Sequence, residues 1–121
     1  MFRDLDSIGA WQAALAQSAT RPVVIYKHSL TCGTSAMAME EMQAFVDGAP
    51  VGAAVYLLRV QQARDVSRTI EATLDVRHES PQVLLVVDGR VVWHASHFRV
   101  TAAAMREALQ PYTAAAAGRE G

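Results

Sequence analysis

The sequence contains little cysteine and little net charge. Cys32 is the only cysteine among 121 residues, so no disulfide can form within the chain. One unpaired thiol is typical of a reducing compartment. Eleven basic residues against 12 acidic ones give a formal net charge of −1, which provides no long-range attraction to nucleic acid or to an anionic membrane. We therefore expect neither kind of partner.

Signals for insertion into a membrane are also missing. No apolar run approaches the roughly 20 residues that span a bilayer, and the N-terminal residues do not combine a basic segment with an apolar one. These features favour a cytoplasmic protein. With 51% hydrophobic residues the chain can form a core of its own. We expect one domain over residues 1–112 and an Ala- and Gly-rich tail over residues 113–121 that frays.

The spacing of apolar residues predicts four helices and four strands. The predicted helices run from the capping residue Ser7 to about residue 18, from just after Cys32 to about residue 48, from the capping residue Asp65 to residue 74, and over residues 102–109, ended by Pro111. The predicted strands cover residues 23–26, 53–60, 82–87 and 90–95, the last two joined by an Asp88-Gly89 turn. This order predicts an α/β fold in which helices sandwich a mixed four-stranded sheet. It resembles the thioredoxin-like arrangement without its first strand.

Cys32 is the main candidate for a functional residue. It follows a buried strand and a polar turn and directly precedes a predicted helix, whose unpaired N–H groups and dipole favour a thiolate. Cysteines so placed have pKa values lowered from about 8.5 to roughly 3.5–7.5. A lone cysteine is more often a buried apolar residue, but the polar neighbours suit a sheet edge where ligands bind. We therefore predict that Cys32 is a nucleophile.

Several neighbours are candidates to tune this thiol. The positive charge of Lys27 or His28 would lower its pKa, although Lys27 at the strand end also suits simple solvation. The Ser35 hydroxyl either hydrogen-bonds the thiolate or caps the helix. A metal site of Cys32, His28 and His97 is disfavoured because the spacing is not diagnostic, and we assign no metal ligand.

Three motifs in order resemble the monothiol bacilliredoxin family (YtxJ-like) of the thioredoxin-like superfamily. They are Tyr-Lys-His-Ser-Leu-Thr-Cys at residues 26–32, His-Glu-Ser-Pro-Gln at residues 78–82, and Val-Trp-His-Ala-Ser-His-Phe at residues 92–98. The likeness implies that Cys32 removes bacillithiol, a cysteinyl-glucosamine-malate thiol, from modified proteins, with bacillithiol as co-substrate and no bound cofactor. The resemblance to thioredoxin-like proteins implies a cis bond before Pro81, which faces the cysteine and leaves the backbone of Ser80 open to substrate.

The predicted site includes further residues around Cys32 and Pro81. The residues expected to contact substrate are Lys27, His28, Thr31, Gly33, Ser35, Ser80 and Pro81. Gly33 replaces the proline of the family motif Thr-Cys-Pro-x-Ser, which loosens the helix start and restores an N–H near the sulfur. The malate carboxylates need cationic partners, for which Lys27, Arg64 and Arg77 are candidates. The pattern of the third helix otherwise predicts that Arg64, Arg68 and Glu71 face solvent.

Two other functions remain open. Gly33 brings the motif close to the Cys-Gly-Phe-Ser of monothiol glutaredoxins, which carry iron–sulfur clusters, but Thr34 replaces the phenylalanine and their double glycine after the hairpin is missing. A non-catalytic binding module with an inert cysteine is the other alternative. If Cys32 does react, its adduct must be resolved by an outside thiol, either free bacillithiol or a separate reductase.

Overall fold

The computed structural model describes residues 2–31, 33–48 and 52–120, with residues 113–120 described by their backbone only. The strands of this part of the chain are β1 (Arg3–Asp4), β2 (Val23–His28), β3 (Ala54–Arg59), β4 (Gln82–Val87) and β5 (Arg90–Ser96). They form one mixed sheet in the order β1-β3-β2-β4-β5. The central strand β2 runs parallel to β3 and antiparallel to β4.

Helices cover both faces of this sheet. They are α1 (Ile8–Gln17), α2 (Gly33–Asp47), α3 (Arg64–Leu74) and α4 (Ala102–Glu120). Trp11 of α1 and Ile70 of α3 pack in one core cluster with Ile25, whereas Phe45 of α2 packs in a second cluster with Tyr26. Successive residues of β2 therefore point into different layers, and its uninterrupted apolar run is buried on both faces, as in the centre of an α/β sheet.

The local signals for capping and turning are mostly confirmed. Ser7 is the N-cap of α1, and its side chain accepts a hydrogen bond of 3.1 Å from the Ala10 N–H. Asp88 and Gly89 both have positive φ angles, of 52° and 75°, as the two central residues of a tight hairpin turn require. The cap predicted at Asp65 is wrong, because α3 begins one residue earlier, at Arg64. Asp65 lies in the first turn, where the helix dipole favours a carboxylate.

Two further predictions about the elements are wrong. The sheet has a fifth strand, because Arg3–Asp4 pairs in parallel with β3; two exposed polar residues produce no strand pattern in the sequence. Helix α4 does not end at Pro111 but continues to Glu120. Proline removes one N–H from the helix, and the run of alanines that follows it has the highest helix propensity. The predicted fraying of residues 113–121 and the domain limit at residue 112 stay predictions.

In the described part of the chain, no helix is both long and apolar enough to cross a bilayer.

Candidate functional site

The predicted site lies between the end of β2 at His28 and the start of α2 at Gly33. Cys32 itself falls outside the described residues, so its predicted accessibility and its position relative to Pro81 stay predictions. The sequence nevertheless places it directly before the first residue of α2. The surroundings of residues 29–31, which we call the 29–31 loop, therefore determine how the chain approaches Cys32.

Gln61, which follows β3, holds the 29–31 loop with its side chain. Its Oε1 accepts a 3.0 Å hydrogen bond from the Leu30 N–H, and its Nε2 donates to Ser29 Oγ at 2.8 Å and to Thr31 Oγ1 at 3.2 Å. One amide thus contacts each residue of the loop. The sequence analysis missed Gln61, because a glutamine after a strand carries no local signal of a contact with residues about 30 positions away.

Ser35 connects the first turn of α2 to the end of β2. Its side chain is only 1% exposed, and its Oγ accepts a 3.3 Å hydrogen bond from the Ser29 N–H. The hydroxyl of Tyr26 donates to the Ser35 carbonyl at 3.3 Å. These contacts give Ser35 a structural role at the helix start, and its predicted hydrogen bond to the thiolate stays a prediction.

Lys27 is the only lysine in the chain, and it is fully buried. Its Nζ lies 3.4 Å from Nδ1 of His78, and no carboxylate of the described residues is within ion-pair distance. The alternative that Lys27 is simply solvated is therefore wrong. Burial lowers the pKa of Lys27 to about 8. The negative charges of Glu71 and Glu79, which are farther away, raise this pKa by less than burial lowers it. At pH 7 the ammonium of Lys27 is therefore charged in most molecules, with no counter-ion at ion-pair distance among the described residues.

His78 connects Lys27 with α3. Its Nδ1 lies 3.2 Å from Ser67 Oγ, and its backbone N–H donates a 2.6 Å hydrogen bond to Oε2 of Glu71. Glu71 is thus engaged by the chain before β4 rather than turned outward as predicted. Burial and the charge of Lys27 lower the pKa of His78. The lowered pKa favours the neutral ring at pH 7. Because the Lys27 ammonium can only donate hydrogen bonds, Nδ1 of His78 is the acceptor in their contact.

His28 lies at the end of β2, and its predicted charge effect on the thiol stays a prediction. It is half-buried, with Nδ1 3.0 Å from the Tyr26 hydroxyl. Burial and the nearby Arg59 lower its pKa, which favours the uncharged ring. The other histidine considered for a metal, His97, lies 3.8 Å from a carboxylate oxygen of Glu79. Within the described ranges, no three His, Cys, Asp or Glu side chains form a group suited to a metal ion.

The predicted cis bond between Ser80 and Pro81 is confirmed. Pro81 is buried, and its carbonyl accepts a 2.9 Å hydrogen bond from the His97 N–H. The Oγ of Ser80 is buried without a hydrogen-bond partner among the described residues. The backbone N–H and C=O of Ser80 likewise have no partner in the described part of the chain. Ser80 therefore has unused donors and acceptors, and its pairing with a substrate stays a prediction.

The first prediction concerns Gln61. Gln61→Ala removes all three hydrogen bonds to the 29–31 loop, so the loop should open more often. We expect the amide hydrogen of Leu30 to exchange about tenfold faster, because a net loss of about 1.4 kcal/mol in the local opening free energy has that effect. Hydrogen exchange followed by NMR measures this rate. Gln62→Ala is the matched control, since Gln62 is exposed; equal Leu30 rates in the two variants would contradict the role of Gln61.

The second prediction concerns the buried charge of Lys27. The folded-state pKa of about 8 lies below the ordinary value of 10.5, so the unfolded chain binds more protons between these pH values. Wild-type stability should therefore rise as the pH increases from 8 to 10.5. Lys27→Met lacks this rise, and we expect it to be more stable than wild type at pH 7 by up to about 3 kcal/mol. Urea unfolding of both proteins from pH 7 to 10.5 measures the difference.

A direct titration provides the control for this prediction. Because the chain has one lysine, selective ¹³C labelling of lysine produces a single side-chain signal in the NMR spectrum. Its midpoint should lie near pH 8. A midpoint near the ordinary value of 10.5, or a stability difference that does not change with pH, would show that the charge of Lys27 is compensated.

Comparison with known proteins agrees with this arrangement. A solved structure described as having a thioredoxin fold, and provisionally as an oxidoreductase, is 32% identical, with a TM-score of 0.77 over 87% of this chain and 90% of that chain. Thioredoxin from Fasciola hepatica is 16% identical, with a TM-score of 0.72 over 92% of this chain and 99% of that chain. Thioredoxin from Trypanosoma brucei brucei is 11% identical, with a TM-score of 0.74 over 94% and 92%. At this low identity the two thioredoxins show the fold alone.

The sequence of the chain also matches a family model. The model is that of the monothiol bacilliredoxin BrxC, and it matches residues 3–105. The match confirms the family predicted from the three motifs, and the similar structures confirm the thioredoxin-like fold. Family and fold together support a redox role. The chain therefore belongs to the monothiol bacilliredoxin family.

Proposed function

We propose that this protein is a thiol–disulfide oxidoreductase that removes bacillithiol from S-bacillithiolated proteins through a mixed disulfide at Cys32. The supporting observation is that a member of the monothiol bacilliredoxin family has its single cysteine directly before the first residue of α2. The free N–H groups of the first helical turn, beginning with Gly33, would stabilise the thiolate. Because this thiol must stay reduced between reactions, we place the protein in the cytoplasm.

The first step exchanges one disulfide for another. The Cys32 thiolate attacks the bacillithiol sulfur of the protein–bacillithiol disulfide. A sulfur–sulfur bond forms between Cys32 and bacillithiol, the bond to the client protein breaks, and the client thiolate leaves and takes a proton from water. The number of disulfides is unchanged, so this step needs no further oxidant or reductant.

The second step regenerates the enzyme. Since the chain has no other cysteine, the attacking thiolate must come from outside. Free bacillithiol attacks the bacillithiol sulfur on Cys32, which forms oxidised bacillithiol and releases the Cys32 thiolate. A separate disulfide reductase is the alternative acceptor of the adduct. Bacillithiol is thus a co-substrate rather than a bound cofactor.

Several described residues hold the backbone that leads to Cys32 in position for these steps. Gln61 holds the 29–31 loop against the end of β3, and Ser35 holds Ser29 against the start of α2. Both contacts restrict the backbone that leads to Cys32, and preorganised reacting groups lose less entropy on reaching the transition state. The unpaired backbone of Ser80 provides a donor and an acceptor for a client peptide or for the bound thiol.

The third prediction tests the transfer itself. Wild-type protein, incubated with a bacillithiol-modified client protein, should gain the mass of bacillithiol on Cys32 while the client loses it. Cys32→Ser should transfer nothing, because an alcohol does not form the mixed disulfide. Intact-mass spectrometry measures both products, and a glutathione-modified client shows whether the small thiol is selected. Removal of the adduct by the Ser variant would overturn the assignment of Cys32.

The fourth prediction distinguishes a reactive from an inert cysteine. If Cys32 is activated, its rate of alkylation by iodoacetamide should reach half of its maximum below about pH 7.5. The measurement is the alkylation rate as a function of pH, with denatured protein as the control for an unperturbed thiol. A folded protein whose rate rises only above about pH 8 would be a binding module rather than an oxidoreductase.

A further inference from the structure

A cavity of about 530 Å³ lies beside the 29–31 loop. Its lining includes Ser29 of that loop, Gln61, which holds the loop, and Ser80, which precedes the cis-proline. α3 contributes a further wall through Arg64 and Arg68. The volume falls within the range of about 300–1,000 Å³ that is typical of small-molecule sites. The cavity is therefore large enough for a small ligand that contacts the 29–31 loop.

Charge distinguishes this cavity from an ordinary surface cleft. Arg64 and Arg68 are exposed, one turn apart on α3, and neither forms an ion pair with a described residue. Arg68 donates only its Nε, to the Arg64 carbonyl at 3.3 Å, which leaves the outer nitrogens of its guanidinium available. Among the described lining residues Glu71 is the single acidic one, and it already accepts the His78 N–H. The cavity thus presents an excess of positive charge.

The more buried part of the lining adds polar groups that carry no negative charge. Ser67 and His78 contribute to it, and the buried ammonium of Lys27 lies 3.4 Å from Nδ1 of His78. The Oγ of Ser80 is buried and has no partner among the described residues, so that it can donate to or accept from a ligand. A ligand with carboxylates and hydroxyl groups would satisfy this set of donors, whereas an apolar one would leave them unpaired.

We propose that this cavity binds the carboxylate-bearing part of the small thiol while the sulfur of that thiol is bonded to Cys32. The inference rests on the proposed function and names the part of the protein that selects the thiol. A guanidinium pairs with a carboxylate through two parallel hydrogen bonds, so Arg64 and Arg68 suit the two carboxylates of a malate group. Both arginines are exposed to solvent, as the sequence predicts, and the proposal adds a ligand that they bind. Arg77, the other cationic candidate, is not among the lining residues.

The fifth prediction compares an anionic and a neutral disulfide. Arg64→Gln combined with Arg68→Gln should lower the second-order rate constant of Cys32 with bacillithiol disulfide by about tenfold or more. The rate constant with the uncharged 2-hydroxyethyl disulfide should stay within about twofold of wild type, because the cavity charge does not act on it. Intact-mass spectrometry of the Cys32 adduct measures both. In each reaction one disulfide is consumed, one mixed disulfide forms and one thiol is released.

Two further variants serve as controls. Arg21→Gln removes an exposed arginine before the start of β2, away from the carboxyl end where the cavity lies, and should change neither rate. Arg64→Lys combined with Arg68→Lys keeps the charges but not the paired hydrogen bonds, so its rate with bacillithiol disulfide should fall between wild type and the Gln variant. The rate of the Gln variant should also depend less on salt than that of wild type.

The outcomes separate the cavity from the proposed function. If wild-type Cys32 reacts with neither disulfide, the proposed function fails and the cavity assignment fails with it. If wild type reacts with both and the Gln variant slows both equally, or slows neither, the function stands and the cavity assignment is overturned. A selective loss with bacillithiol disulfide supports both, since the neutral disulfide shows that Cys32 is still intact and reactive.

Discussion

Burial of β2 on both faces is the constraint on which the rest of the structure depends. This strand pairs with β3 on one side and β4 on the other, so its carboxyl end meets the end of β3 and the beginning of β4 at one edge of the sheet. This pairing brings Gln61, Ser80 and the 29–31 loop together there, and hydrogen bonds of Gln61 then hold the loop. In open α/β sheets this is the edge at which ligands bind.

Burial of β2 also places a charged side chain, that of Lys27, in the protein interior. Lys27 is the fifth residue of β2 and has no adjacent counter-ion among the described residues, so its ammonium is stabilised by His78 and by distant carboxylates only. An apolar residue of similar length would fit the fold better. Perturbed, poorly compensated groups of this kind cluster at functional sites, and the positive field of Lys27 extends to the cavity that we assign to an anionic ligand.

In the proposed function, the reaction at Cys32 and the selection of the small thiol would be linked through shared residues. Gln61 holds the loop before Cys32 and also lines the cavity. Ser29, the residue of that loop to which Gln61 donates, lines the cavity as well. A ligand that fills the cavity would therefore contact the residues that set the loop conformation. With the proposed ligand bound, the binding energy of its carboxylates would help to position its sulfur for reaction, without a second cysteine in the chain.

The sequence by itself determined the order of the main elements, the Ser7 cap, the Asp88-Gly89 turn and, through three motifs, the family and the cis bond before Pro81. The order of the elements, the cap and the turn depend on residues close together in the chain, where apolar spacing and turn chemistry act. The family and the cis bond were expected from resemblance to known proteins and not from local chemistry. Only the tertiary structure decided that Lys27 is buried, that Gln61 holds the loop and that Arg64 and Arg68 line a cavity. Each of these features depends on contacts between segments that are far apart in the chain, and such contacts produce no local pattern in the sequence. The missed strand Arg3–Asp4, which pairs with β3, is a further example.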